Sequence, residues 1–114
     1  MYTLIEIKNS EIHGKGVFAK VDIKKDTELV CDIITIPFNN LSDELKQYHY
    51  PYSRINIHTV SLCMGFGSFF NHSVTPNIRV YLMNKELLTK TFKTIKDINK
   101  GDELFLDYGY KLEL

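Results

Sequence analysis

Cysteine is scarce in this chain. Cys31 and Cys63 are the only two, and they form neither a CxxC pair nor a Cys/His spacing, so no zinc site can be built from them. Both lie in apolar company and read as small buried residues in a reducing compartment. Net charge is missing as well: 14 Lys and Arg balance 14 Asp and Glu, which leaves no overall field to draw nucleic acid or a membrane surface. No apolar run approaches transmembrane length, and the start lacks a basic-then-apolar leader, so an intracellular product is expected. Asn40-Leu41-Ser42 and Asn71-His72-Ser73 match the glycosylation sequon, but without a leader they read as chance. Repeats, linkers and low-complexity stretches are absent. So is a phosphate loop: Gly14-Lys15-Gly16 has no third glycine and no helical continuation, and no Gly-Lys-Ser/Thr follows at the right spacing. An enzyme acting on nucleotide phosphates is thereby disfavoured.

What is present describes a β-dominated chain. At 114 residues it is expected to be one domain, 1–114, large enough to bury a core. Tyr2 to Lys8 reads as a strand, and residues 13–19, HGKGVFA, as a two-glycine turn entering another. Two glycines flanking one residue permit positive φ and close approach of backbone to a ligand. Asp22 to Thr27 is a polar turn. Glu28 to Phe38 is a long β-rich run that Pro37 limits. Asn40 to Tyr48 is the helix candidate: Asn40 or Ser42 could cap it, Asp43 and Glu44 suit its first turn, and Leu41, Leu45 and Tyr48 share a face. Tyr48-His49-Tyr50-Pro51-Tyr52 is an aromatic cluster, either rim packing for that helix or a ligand wall. His58 reads as a surface residue. Ile78 to Leu82 and Leu87 to Ile95 flank a turn at Asn84-Lys85-Glu86 and predict a hairpin. Lys90 and Lys93, with Thr89, Thr91 and Thr94, suggest a solvated face on its second arm. Lys96 to Gly101 forms another turn.

The chain is organised around residues 67–77, GSFFNHSVTPN. Phe69 and Phe70 anchor this stretch in a core, and the residues after them are polar or turn-forming. Pro76 fixes its own φ and holds Thr75 extended, which rules out a continuing helix. Asn71 and Asn77 tolerate tight turns and hydrogen-bond nearby backbone. Such a turn can aim polar groups at a ligand, or it can be an Asx-rich connection between strands.

Three separated pieces, HGKGVFA at 13–19, FFNHSVTPN at 69–77 and GDELFLDYG at 101–109, together resemble the SET domain of protein lysine methyltransferases. The small stand-alone SET proteins of large DNA viruses are closest in size. The resemblance covers essentially the whole chain and implies a mainly β (α+β) fold of the β-clip type. Small curled sheets, one short helix and a C-terminal pseudoknot are expected, the knot formed where the last strand crosses the stretch after the Asn-His turn. It implies S-adenosylmethionine as cofactor. Backbone at Lys15 and Gly16 would hold its methionine part, and Asn71 with the backbone of His72 would hold the remainder. Tyr50 matches an aromatic position beside the cofactor, and Asn77 a residue of the knot. Tyr108 matches the catalytic tyrosine at the junction of cofactor and substrate sites. Tyr50, Leu106 and Tyr110 would border the substrate channel. A hydroxyl-bearing residue at position 106 favours monomethylation in the family, so Leu106 implies a di- or trimethyl product.

The implied substrate is a lysine in a protein, histone tails being the commonest class, which would place the protein in the nucleus or on chromatin. The cysteine-rich zinc segment that often closes the channel is missing, so Tyr110, Lys111 and Leu112 or a second subunit would supply the lid. The small viral relatives are dimers, which makes a homodimer the expectation. The rival class is a catalytically silent β-clip module that binds peptides. Asn71, His72 and Tyr108 together argue against it, because a pure binder has no need of all three.

Overall fold

The computed structural model describes residues 3–46, 48–51 and 58–109. Among them run nine strands: β1 (Ile5–Asn9), β2 (Lys15–Ala19), β3 (Glu28–Pro37), β4 (His49–Pro51), β5 (Thr59–Cys63), β6 (Asn71–His72), β7 (Ile78–Asn84), β8 (Thr89–Thr94) and β9 (Glu103–Leu106). Four of them form a sheet in the order β1-β2-β9-β6, and five form a second in the order β4-β5-β3-β8-β7. The β3 strand explains the curl of the larger sheet. Its first half, Glu28 to Asp32, pairs with β8, and its second half, Ile33 to Pro37, pairs with β5. Alternate residues Leu29, Cys31 and Ile33 point into the core while Val30, Asp32 and Ile34 point out, the two-residue period of a half-buried strand.

The helix is shorter than the sequence suggests. Among the described residues only Asp43–Lys46 is α-helical (α1), and Phe38–Asn40 forms a separate 3-10 turn. Leu41 is extended between them and buried, so its side chain goes to the core rather than to a helix face. With Leu41 committed to that anchor, Asn40 caps nothing, and Ser42 accepts from Leu45 and Lys46 through its carbonyl. The hairpin forms as expected, with Asn84 Oδ1 accepting from the Glu86 and Leu87 amides. Its second arm is not solvated, however. Lys90, Thr91 and Thr94 are buried because β8 lies between β3 and β7 and is covered on both sides. Thr94 Oγ1 donates to the Lys24 carbonyl and accepts from the Thr27 amide, which closes the polar turn beneath it.

The C-terminal crossing is held by Asn77. Its Nδ2 donates to the Glu103 carbonyl and its Oδ1 accepts from the Phe105 amide, at 2.9 and 2.7 Å. Its own amide donates to Phe105 O, and the next turn donates from Ser73 N to Leu106 O. Residues 71–77 thus strap β9, which also pairs in parallel with β6 and antiparallel with β2. A side-chain amide is suited to this because it offers a donor and an acceptor on one rigid plane. Beneath the strap, Phe66, Phe70 and Phe92 stack in tilted and edge-on pairs, with Leu104 and Leu106 also in that core.

Candidate functional site

The strap and the first turn enclose a cleft of ≈ 660 Å³, within the range of small-molecule sites. One wall is the turn Ile12 to Lys15, in which Gly14 adopts φ +48, a left-handed conformation costly for a residue with a Cβ. The second wall is aromatic, from Tyr48 and Tyr50. The floor is Ser68 to His72, and Tyr108 closes one end. These pieces are far apart in the chain, and β6 and β9 bring them together.

Asn71 joins the floor to the first turn. It is buried, and its Nδ2 lies 3.2 Å from both the His13 and Lys15 carbonyls and 2.7 Å from Glu103 Oε2. Glu103 accepts a further bond from Ser10 Oγ at 2.7 Å. Gly16 is required by the same carboxylate: a Cβ there would lie 2.4 Å from Glu103 Oε2. Gly16 therefore serves the packing behind the wall and does not itself line the cleft, whereas Lys15 does.

At the far end His72 and Tyr108 hold one another. His72 Nδ1 accepts the Tyr108 amide at 2.9 Å, and the two rings lie 5.2 Å apart. An acceptor Nδ1 places the proton of the neutral ring on Nε2. The Tyr108 hydroxyl donates to the Phe70 carbonyl. Burial, then the negative charge of Glu103 and the neighbouring Tyr48, push the Tyr108 hydroxyl above the usual tyrosine range, so it stays protonated at neutral pH. Tyr50 combines the two readings open to it: it is buried, it faces the cleft, and its hydroxyl donates to the Gly67 carbonyl at 2.6 Å.

Residues 14–109 match the SET domain family. The chain belongs to it. The SET domain here is 31% identical over 112 residues to "Histone-lysine N-methyltransferase, H3 lysine-37 specific" of Schizosaccharomyces pombe, covering 92% of this chain and 73% of that relative. It is 26% identical over 121 residues to "Histone-lysine N-methyltransferase SETD7" of Halocynthia roretzi, covering 86% of this chain but 29% of the relative's length. A crystal structure of a proposed histone methyltransferase from Plasmodium falciparum superposes with a TM-score of 0.80 at 26% identity, over 96% of both chains.

Within this SET domain, Lys15, Tyr50, Asn71, His72 and Tyr108 come together around one cleft. Leu106 does not face it. That side chain is buried in the core and borders a second depression with Ile78, Val80 and Asp107. Tyr110, with Lys111 and Leu112, lies outside the described residues, as do Tyr2 and Tyr52. Glu103 is the functional residue that sequence reasoning passed over. A carboxylate in a Gly-Asp-Glu-Leu run looks like a solvated turn, and only its contacts with Ser10, Gly16 and Asn71 reveal its place. Among the described residues, no cluster of His, Cys, Asp and Glu could hold a metal ion, and no helix is long and apolar enough to cross a membrane.

Proposed function

We propose that this SET domain is an S-adenosylmethionine-dependent protein-lysine N-methyltransferase. The observation that carries the reading is the junction at Tyr108, where a protonated hydroxyl and the Phe70 carbonyl meet at the closed end of an aromatic cleft. The residues present fit the cofactor. The cleft is large enough, Tyr48, Tyr50 and Phe69 offer flat faces for a base, and carbonyls with aromatic faces suit a cation better than an anion. Backbone at His13 to Lys15 and at Asn71 and His72 would hold its polar ends. When bound, S-adenosylmethionine supplies a methyl group activated by a positively charged sulfonium.

The chain's own part is alignment and desolvation. Orienting two reactants in one site can contribute up to ~7–11 kcal/mol. Tyr108 donates its proton to Phe70 and so presents oxygen lone pairs with which to orient an incoming amine. A free lysine has a pKa of about 10.4, and desolvation in the closed site, with the like charge of a bound sulfonium, would disfavour its charged form. No separate base is then required, in keeping with a His72 Nδ1 already engaged by Tyr108. Substrate would enter by the depression beside Leu106, whose aliphatic wall leaves room for dimethyl or trimethyl product.

The names of the relatives favour a histone tail as substrate and a nuclear setting, and a homodimer is proposed with them, to be measured by light scattering. The deciding experiment incubates the purified protein with S-adenosylmethionine and core histones and reads the products by mass spectrometry. Methyl-lysine that disappears in Tyr108→Phe is the expected result. Cofactor binding without transfer to any histone or free peptide would favour the silent binding module.

A further inference from the structure

Behind the aromatic wall of the cleft, β3 and β5 bring the two cysteines together. Ile33 is the direct partner of Cys63, and Cys31, two residues along β3, shares their inward face. Gly67 is wedged against both: a Cβ there would lie 2.8 Å from each sulfur. The Cys31 thiol hydrogen-bonds to Cys63 and is thereby held strongly in its protonated form, with burial adding to the effect and Lys90 opposing it. The Lys90 ammonium is buried on the adjacent β8; burial lowers its pKa to about 8, against the smaller opposing charges of Cys63 and then Cys31. Asp32, the other charged neighbour of Cys31, faces outward. Two sulfurs and an ammonium thus share one buried corner of the sheet. Both cysteines are buried, Cys63 at 4% and Cys31 at 5% exposure. Cys63 borders an apolar groove with Ile34, Leu45, Leu62 and Met64, whereas Cys31 does not.

We propose that Cys63 and Cys31 are a reversible oxidation site, Cys63 reacting with a peroxide and Cys31 resolving it to an intramolecular disulfide. In the first step the Cys63 thiolate attacks one peroxide oxygen. The O–O bond breaks, and the departing hydroxide takes up a proton to become water, leaving a sulfenic acid. In the second step the Cys31 sulfur attacks the Cys63 sulfur and the S–O bond breaks. The leaving hydroxide takes the Cys31 proton as a second water. Two thiols lose two hydrogens in total, and hydrogen peroxide is reduced to two waters.

The diagonal placement across antiparallel strands sets the character of the bond. Diagonal neighbours are more widely spaced than direct partners, so closing the bridge moves backbone and leaves a bond that is easily reduced. The backbone that must move includes the Gly67 turn, whose carbonyl accepts from Tyr50, and Cys63, whose carbonyl accepts from Ser68. Both donors line the cleft.

The test treats the purified full chain with hydrogen peroxide, blocks residual thiols under denaturing conditions, and maps peptides by mass spectrometry. The expected product has lost two hydrogens, joins the Cys31 and Cys63 peptides, and returns to two free thiols with dithiothreitol. Cys31→Ser should instead accumulate a sulfenic acid at Cys63 that dimedone captures, and Cys63→Ser should leave Cys31 unreacted. Wild-type protein that keeps both thiols, gains oxygen on either cysteine without a linkage, or forms only disulfides between chains overturns the proposal. The wild-type measurement suffices if either variant fails to fold.

Discussion

Replacing Lys90 by Met removes an ammonium that β8 leaves 2% exposed, with Nζ 4.6 Å from the centre of the Tyr50 ring. Burial pulls the Lys90 pKa down from 10.5 to about 8, against the smaller opposing influence of the two cysteines. At about 1.36 kcal/mol for each pH unit, that gap corresponds to ~3 kcal/mol of cost for keeping the charge in the folded state. Below pH of about 8 the side chain is charged in both folded and unfolded chains, and the fold bears the whole cost. Between about 8 and 10.5 the unfolded chain binds more protons than the folded one, so stability rises with pH. Above that window both states are neutral and the cost has gone. The cation–π contact with Tyr50 offsets up to ~2 kcal/mol while the charge persists. Methionine can fill the space left by the lysine stem. Lys90→Met should therefore be more stable than wild type by ~1–2 kcal/mol at neutral pH. Urea unfolding of both proteins at neutral and alkaline pH measures this, and the difference between them largely cancels the titration of Tyr108. The expected result is an advantage for the variant that shrinks as pH passes through the window. A variant less stable than wild type at every pH, by a constant amount, would refute the assignment of a net cost to this ammonium.

The other predictions concern the cleft. Tyr108→Phe should fold and keep most affinity for S-adenosylmethionine, while methyl transfer falls by on the order of a hundredfold; equal rates in single-turnover assays would remove the hydroxyl from the mechanism. Cofactor binding measured by calorimetry in chelator should match that without chelator, and its loss would point to a metal requirement. Glu103→Ala leaves Ser10 and Asn71 without a charged acceptor and should cost about 2–4 kcal/mol in chemical unfolding, together with weaker cofactor binding as the first turn comes loose. Leu106→Tyr should shift product from di- or trimethyl towards monomethyl-lysine in mass spectra. Because Leu106 is fully buried, the larger side chain should also cost about 1–3 kcal/mol of stability. Unmodified protein that stops at monomethyl-lysine on prolonged reaction would remove Leu106 from that role.

Strand positions were legible because their cause is local. In β3 the alternation from Leu29 to Ile33 follows directly from which residues are apolar. The limits of that reasoning show at β8. Thr89-Lys90-Thr91 looks like a wet strand: the hairpin with β7 is readable nearby, but nothing there reveals β3 on the other edge. Tertiary context overrode local polarity there. The helix was over-extended for a related reason. Leu41 fits a helical stripe with Leu45 and Tyr48, but it is more fully buried as an extended anchor after the 3-10 turn. In the site, Lys15, Tyr50, Asn71, His72 and Tyr108 sit in readable motifs and line one cleft, Gly16 and Leu106 do not line it, and Glu103 is not legible from its neighbours. Its bond to Ser10 spans 93 positions of the chain, and its demand for glycine at position 16 is visible only as a distance.

That long-range arrangement also explains why so few residues need side chains aimed into the cleft. Asn71 spends its amide on the His13 and Lys15 carbonyls and on Glu103, His72 spends Nδ1 on the Tyr108 backbone, and Asn77 spends its amide on β9. Each of the three fixes one segment relative to another, leaving backbone and aromatic faces to present to a ligand. Positioning by a buried amide is rigid where both ends are engaged, as in Asn77, and an amide left unpaired would cost ~1–3 kcal/mol. Short polar motifs in this domain therefore set geometry, and in the proposed reaction the chemistry would fall to the Tyr108 hydroxyl and the Phe70 carbonyl it faces.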